Sequence, residues 1–101
     1  MSSVSEGAPD LVVQLFIAGD SENTRAVCRR VSGFVGAALK HPYRLDIIDI
    51  FERPDLADRV NILVTPTLVI HAAKSGAEQR LVGDLSDVSK LQLVLADVAS
   101  E

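Results

Sequence analysis

The sequence predicts an α/β domain of order βαβαββα, with a central mixed four-stranded sheet and helices on both faces. Three observations carry this. Ile62 to Ile70 (Ile-Leu-Val-Thr-Pro-Thr-Leu-Val-Ile) is apolar and rich in β-branched residues, as a buried strand requires. Leu11 to Ala18 is apolar apart from Gln14, as expected of a central strand covered on both sides. Between them, Thr24 to Lys40 repeats apolar residues at helical spacing.

Taken in order, Met1 to Asp10 is small and polar and is expected to be a disordered tail, leaving 11–99 as the one domain. The first strand ends at Gly19-Asp20-Ser21, where Asp20 or Ser21 can cap the following helix. That helix buries Val27, Val31, Phe34, Val35, Ala38 and Leu39, while Arg25, Arg29 and Arg30 lie off the stripe. Gly33 and Gly36 cost helix propensity, which close approach to the sheet would explain. His41-Pro42 ends the helix. Tyr43 to Phe51 then alternates as a strand, with Leu45, Ile47 and Asp49 on one face and Arg44, Asp46 and Ile48 on the other. Charges inside it mark a sheet edge, and the crossover places it parallel beside the first strand.

Pro54 opens a short helix with Leu56, Ala57 and Val60 facing inward. Because proline cannot donate to a central ladder, the next strand starts near Thr67, fed by a turn over Val64–Pro66. The bond before Pro66 is a candidate cis peptide. Lys74-Ser75-Gly76 turns the chain into an antiparallel return strand over Gln79–Val82. The last segment, Val88 to Ala99, fits two patterns. Val88, Leu91, Val94, Leu95 and Val98 form a helical stripe, whereas Leu91, Leu93 and Leu95 alternate as in a strand. Length and a Ser86 or Asp87 cap favour the helix. This order, with Thr-Pro before the third strand, is that of thioredoxin-like folds.

Composition limits the function. The 101 residues suit one domain, 48% hydrophobic but only 4% aromatic, so the core is aliphatic. A net charge of −4 and a pI near 5.0 argue against general nucleic-acid binding. One cysteine excludes an internal disulfide and fits a reducing, cytoplasmic setting. The first residues lack the features of a secretory signal, and no apolar run approaches the roughly 20 residues of a membrane span.

Candidate chemistry is sparse. A thioredoxin-type nucleophile belongs at the start of the first helix, where thiol pKa values fall. Here that place holds Gly19-Asp-Ser-Glu-Asn-Thr24 without cysteine, which excludes dithiol chemistry. Cys28 lies about a turn further in and reads as a small buried hydrophobe, with a reactive thiol as the alternative. His41 and His71 lack partners at metal-ligand spacing, and Gly83-Asp84-Leu85-Ser86 lacks the lysine and glycine spacing of a phosphate loop. Asp46 and Asp49 could pair as acid and base, but strand-edge carboxylates are more often solvated. No catalytic residue, cofactor or metal is expected.

Four blocks occur in order: Leu15-Phe-Ile-Ala-Gly19, Ile48-Asp49 with Pro54-Asp-Leu-Ala57, Ile62-Leu-Val-Thr-Pro-Thr-Leu68, and Gly83-Asp-Leu-Ser-Asp87. Together they resemble the KaiB family, over about residues 11–95. Gly-Asp-Leu-Ser-Asp after the second hairpin strand is the specific block; Thr-Pro-Thr-Leu alone is common among thioredoxin relatives. The resemblance implies a non-catalytic protein that binds the N-terminal ATPase ring of KaiC, a P-loop ATPase and kinase, and in clocks also captures KaiA. It also implies metamorphism, in which a ground-state fold, often tetrameric, interconverts with a thioredoxin-like monomer that binds partners. Both monomer and homo-oligomer stay open.

Three departures from the family pattern stand out. Ala72 to Ala77 lacks the proline found there in cyanobacterial members, and Leu93 to Ala96 lacks a glycine. Both favour the thioredoxin-like form. Positions that are lysine in clock members are Asp46 and Asn61 here, so the partner surface differs in charge. The expected partner-binding residues are Arg25, Arg29, Arg30, Arg44, Asp46 and Asn61; Pro66, Gly83 and Asp84 are the expected structural ones. A KaiC-like ATPase is the expected partner, met by β-augmentation along Tyr43–Phe51. A sensor histidine kinase is a further one, because KaiB-like domains occur there; with Glu101 soon after the fold, action in trans is expected. The alternative is a redox or thiol-binding protein using Cys28.

Overall fold

The computed structural model describes residues 10–39, 42–73, 76–83, 90, 92 and 93. Its elements are β1 (Leu11–Ile17), α1 (Glu22–Ala38), β2 (Tyr43–Asp49), α2 (Pro54–Arg59), β3 (Thr67–Ala72) and β4 (Glu78–Val82). The sheet order is β2-β1-β3-β4, with β1 parallel to β2 and antiparallel to β3, and β3 antiparallel to β4. The charged strand is therefore an edge, as its sequence predicts. In the C-terminal segment, Lys90, Gln92 and Leu93 are helical. The remainder of that expectation, and Asp84, lie outside the described residues.

Alternation decides which side chains meet α1. Leu11, Val13 and Leu15 pair with Ala72, Ile70 and Leu68, and all six point to one face. They form a buried cluster with Val31, Val35 and Leu39, against which Val27, Cys28, Phe34, Tyr43, Leu45 and Leu81 pack. Ser21 caps α1 by accepting from the Thr24 N–H at 3.1 Å. The helix starts two residues before the expected Thr24 and ends at Ala38, where Leu39 donates its N–H to Val35. Two details of the expected stripe need correction. Ala38 is exposed, and a Cβ on Gly33 would meet open space, so only Gly36, where an added Cβ would lie 3.3 Å from the Tyr43 hydroxyl, is a close approach.

The opposite face carries Gln14 and Phe16 of β1, Val69 and His71 of β3, and Arg80 of β4. Phe16 and Val69 are fully buried there, but Val12 and Gln14 are only half-buried. β1 is thus covered on both sides only toward its C-terminal end, which corrects the expectation of full cover. Arg80 donates to the carbonyls of Val60 (2.6 Å) and Asn61 (3.4 Å), placing the end of α2 over this face. Helices flank both faces, but unequally: α1 has 17 residues and α2 has six. In α2, Ala57 is buried while Leu56 and Val60 are only half-buried.

The turn over Val64–Pro66 is present, the Thr65–Pro66 bond is cis, and β3 begins at Thr67. Gly83, at φ +93°, donates its N–H to the Pro66 carbonyl at 3.0 Å. Asp10, expected in the tail, is instead fixed: its N–H meets the Pro42 carbonyl and its carbonyl receives the Ala73 N–H, each at 2.9 Å.

Candidate interaction surfaces

The sequence-predicted binding residues fall on two sides of the sheet rather than in one patch. Arg25, Arg29 and Arg30 are exposed on α1. Arg25 meets Asp20 at 3.6 Å between two well-exposed side chains, a pair worth little. Arg29 and Arg30 make no ion pair among the described residues.

On the far face, Arg44 and Asp46 pair at 3.1 Å along β2. Asn61 lies just past α2 at φ +59°, its carbonyl turned to Arg80. A broad open concavity of about 490 Å³ runs along this side of β2, with Gln14, Arg44, Asp46, Glu52, Arg53 and Leu56 among its lining. Of its other charges, Arg53 pairs with Asp55 at 3.3 Å, and the hydrogen bond from Arg53 holds the Asp55 carboxyl below its ordinary range.

A polar chain on the same face was missed by sequence reasoning. Gln14 Oε1 and His71 Nε2 are 3.3 Å apart, His71 Nδ1 lies 3.4 Å from Glu78, and Glu78 accepts from Arg80 at 2.9 Å. The chain continues through Arg80 into the carbonyls that end α2. Its only sequence signal is polar residues interrupting apolar strands at Gln14 and His71. Register, a long-range property, is what aligns them.

The thioredoxin-type position, Gly19 to Thr24, holds no cysteine, and Cys28 lies a turn further into α1. Burial pushes the Cys28 thiol above its ordinary pKa, outweighing the lowering effect of Arg29. A raised pKa leaves less thiolate, the opposite of what an attacking sulfur needs. Asp49 and Asp46 do not pair as acid and base. Asp49 Oδ1 accepts from the N–H groups of Gly19 (3.1 Å) and Phe51 (2.9 Å), tying the β1–α1 turn to the end of β2. Gly19 itself adopts φ +83°. Among the described residues, no group of three or more His, Cys, Asp or Glu is placed to hold a metal ion, and no helix is long and apolar enough to cross a membrane.

Among the described residues, the exposed features are the edge strand β2 and the three arginines of α1. Comparison with known proteins sharpens this. The KaiB domain family model matches residues 14–97. The chain belongs to the KaiB family. Circadian clock protein KaiB3 of Synechocystis sp. is 32% identical over 91 residues, 90% of this chain and 86% of that protein. Circadian clock oscillator protein KaiB of Thermosynechococcus vestitus is 31% identical over 84 residues, 83% of this chain and 76% of that protein.

Among solved structures, the N-terminal domain of Synechococcus elongatus SasA superposes with a TM-score of 0.71 at 24% identity, covering 90% of this chain and 84% of that one. Chloroplastic thioredoxin z gives 0.71 at 20% identity, covering 90% and 80%. These neighbours show that the fold is thioredoxin-like. The described residues of this KaiB-family chain therefore adopt the thioredoxin-like arrangement, with helical geometry at Lys90, Gln92 and Leu93.

Proposed function

We propose that this protein is a non-catalytic cytoplasmic regulator that docks on a KaiC-like P-loop ATPase and modulates its activity, in a clock or a clock-derived stress-response system. The observation that carries this is the position of β2. In a KaiB-family chain it is the edge of a thioredoxin-like sheet, so its outer backbone groups are available to a partner strand. Arg44 and Asp46 on that strand, and Arg25, Arg29 and Arg30 on α1, supply charge on opposite sides of the edge. Because a partner gripping only the strand meets one side first, the two groups are separable by mutation.

The test is size-exclusion chromatography with a KaiC-like ATPase from the same organism in the presence of ATP. Co-elution is expected. Arg25→Ala with Arg29→Ala should weaken it several-fold, most at low salt, because exposed charges are screened beyond about 10 Å at 0.1 M. Separate elution of the wild-type protein would reject the proposal, and unchanged affinity of the double variant would remove α1 from it. Asp46→Lys with Asn61→Lys should raise affinity for a cyanobacterial KaiC. No gain would show that the charge difference at these positions does not set partner choice.

A further inference from the structure

Away from α2, the face of the sheet opposite α1 stays open, and register orders its charges. Arg44, Val12, His71 and Glu78 stand in one row across the four strands. Asp46, Gln14, Val69 and Arg80 stand in the next. On this face β2 therefore presents a positive then a negative charge, and β4 a negative then a positive one. The two columns lie about 14 Å apart, three strand spacings. The side chains are reachable: Arg44 is 60% exposed, Asp46 37%, Glu78 39% and Arg80 33%. Phe16, one row further on, is fully buried, so the cover ends there.

The pair on β2 has bonding capacity to spare. Arg44 donates to Asp46 through Nε, and its two terminal nitrogens have no acceptor among the described residues. Asp46 accepts through Oδ2, leaving Oδ1 open. A guanidinium fork of this kind takes a second carboxylate readily. The four charges sum to zero, so the patch attracts neither a basic nor an acidic partner as such. It selects a surface with the inverse pattern. A half-turn about an axis lying in the face, across the strands and between the two rows, generates that inverse from the same patch.

We propose that this face is an isologous contact between two copies of the chain, in which Arg44 of each meets Asp46 of the other and Glu78 of each meets the other's Arg80. The strands of the two sheets run antiparallel, and α2 is the reason. It stands over the Phe16 end of the face, its last carbonyls held by Arg80. Parallel strands would bring both α2 helices into a gap of about 10 Å between packed sheets. Antiparallel strands place each α2 past the Leu11 end of the other copy's β1. Open apolar surface at the centre is limited to half-buried Val12, so charge carries the contact and salt weakens it. The outer backbone of β2 lies on the rim of the sheet, so the contact neither uses nor requires the edge-strand docking proposed above.

The test is sedimentation equilibrium of the full chain up to about 1 mM, with amide NMR on dilution of the same samples. At low salt the mass should rise toward that of two chains, and dilution should shift the amides of Val12, Gln14, His71 and Glu78. Raising the salt from about 20 to about 500 mM should weaken association by about tenfold. Arg44→Asp sets acid against the other copy's Asp46 and should weaken it by a similar factor, with a thermal midpoint close to wild type because the side chain is exposed. Adding Asp46→Arg to the same chain exchanges both charges of β2 and should restore association to within about threefold. With parallel strands β2 would instead face β4, and the exchange would not rescue. A monomer at every concentration, a dimer indifferent to Arg44→Asp, or a double variant no better than the single one would each overturn the contact. So would a monomer whose Val12 and His71 amides shift only when the KaiC-like ATPase is added, because the ATPase would then be the occupant. Co-elution of the wild-type chain with that ATPase is read separately, so either proposal can fail alone.

Discussion

The two faces of the sheet are built on different physics. The face under α1 is aliphatic and closed: Val13, Leu15, Leu68 and Ile70 are fully buried against Val31 and Val35. The other face closes only around Phe16 and Val69, and elsewhere carries Gln14, His71, Glu78 and Arg80 in a half-exposed chain that reaches the end of the short α2. Apolar burial is worth about 1.5–3 kcal/mol per fully buried side chain, whereas a typical hydrogen bond nets only about 0.5–1.5 kcal/mol. The first face therefore supplies most of the stability. The second fixes geometry and leaves polar groups within reach of a partner.

Neighbouring residues on β1 test the contrast most directly. Leu15→Ala should destabilise by about 2–5 kcal/mol, since it opens a cavity in a packed core. Gln14→Ala should cost about 1 kcal/mol or less, since its one described partner is the half-exposed His71. Urea unfolding of the two variants gives the comparison. Equal losses would show that the polar face is as important to stability as the core, and the distinction between the faces would collapse.

Arg80 tests whether the second face positions structure. Arg80→Met keeps the aliphatic stem but removes the donors to Val60 and Asn61. Charged hydrogen bonds reach about 1.5–3 kcal/mol, and the partial exposure of this side chain reduces that to about 1 kcal/mol. The loss should be local: amide exchange in Leu56–Asn61 should accelerate while Val13 and Ile70 stay protected. Uniform acceleration would place Arg80 in the global stability of the domain instead.

Most of the aliphatic face was legible from spacing alone. Val31, Val35 and Leu39 repeat every four residues, Ser21 stands at the cap, and Arg44, Asp46 and Asp49 mark β2 as an edge. These are local signals, one element at a time. The polar face was not legible, because Gln14, His71, Glu78 and Arg80 come from three strands and meet only through register. Ala38 and Gly33 failed for a related reason: helical period names a side of the helix, not how far the sheet extends beneath it. Of the six expected binding residues, Asp46 is half-buried and the others are exposed, and their division between two sides of the sheet depends on which face α1 covers.

Cys28 gives the smallest effect and sits at the margin between the core and solvent. Burial raises its pKa, with Asp20 adding to the shift and Arg29 opposing it. Alkylation by iodoacetamide near neutral pH should therefore run about twofold or more slower than with free cysteine. The same shift has a sign in stability. As pH rises past the ordinary thiol value of about 8.5, the unfolded chain releases this proton before the folded one does, so the unfolded state binds fewer protons and folding weakens. The contribution is fully present below that value and declines toward the raised folded pKa. Cys28→Ala should remove that part of the alkaline slope and leave the neutral range parallel to wild type. Faster alkylation than free cysteine would overturn the inert assignment and return a thiol-based function to consideration.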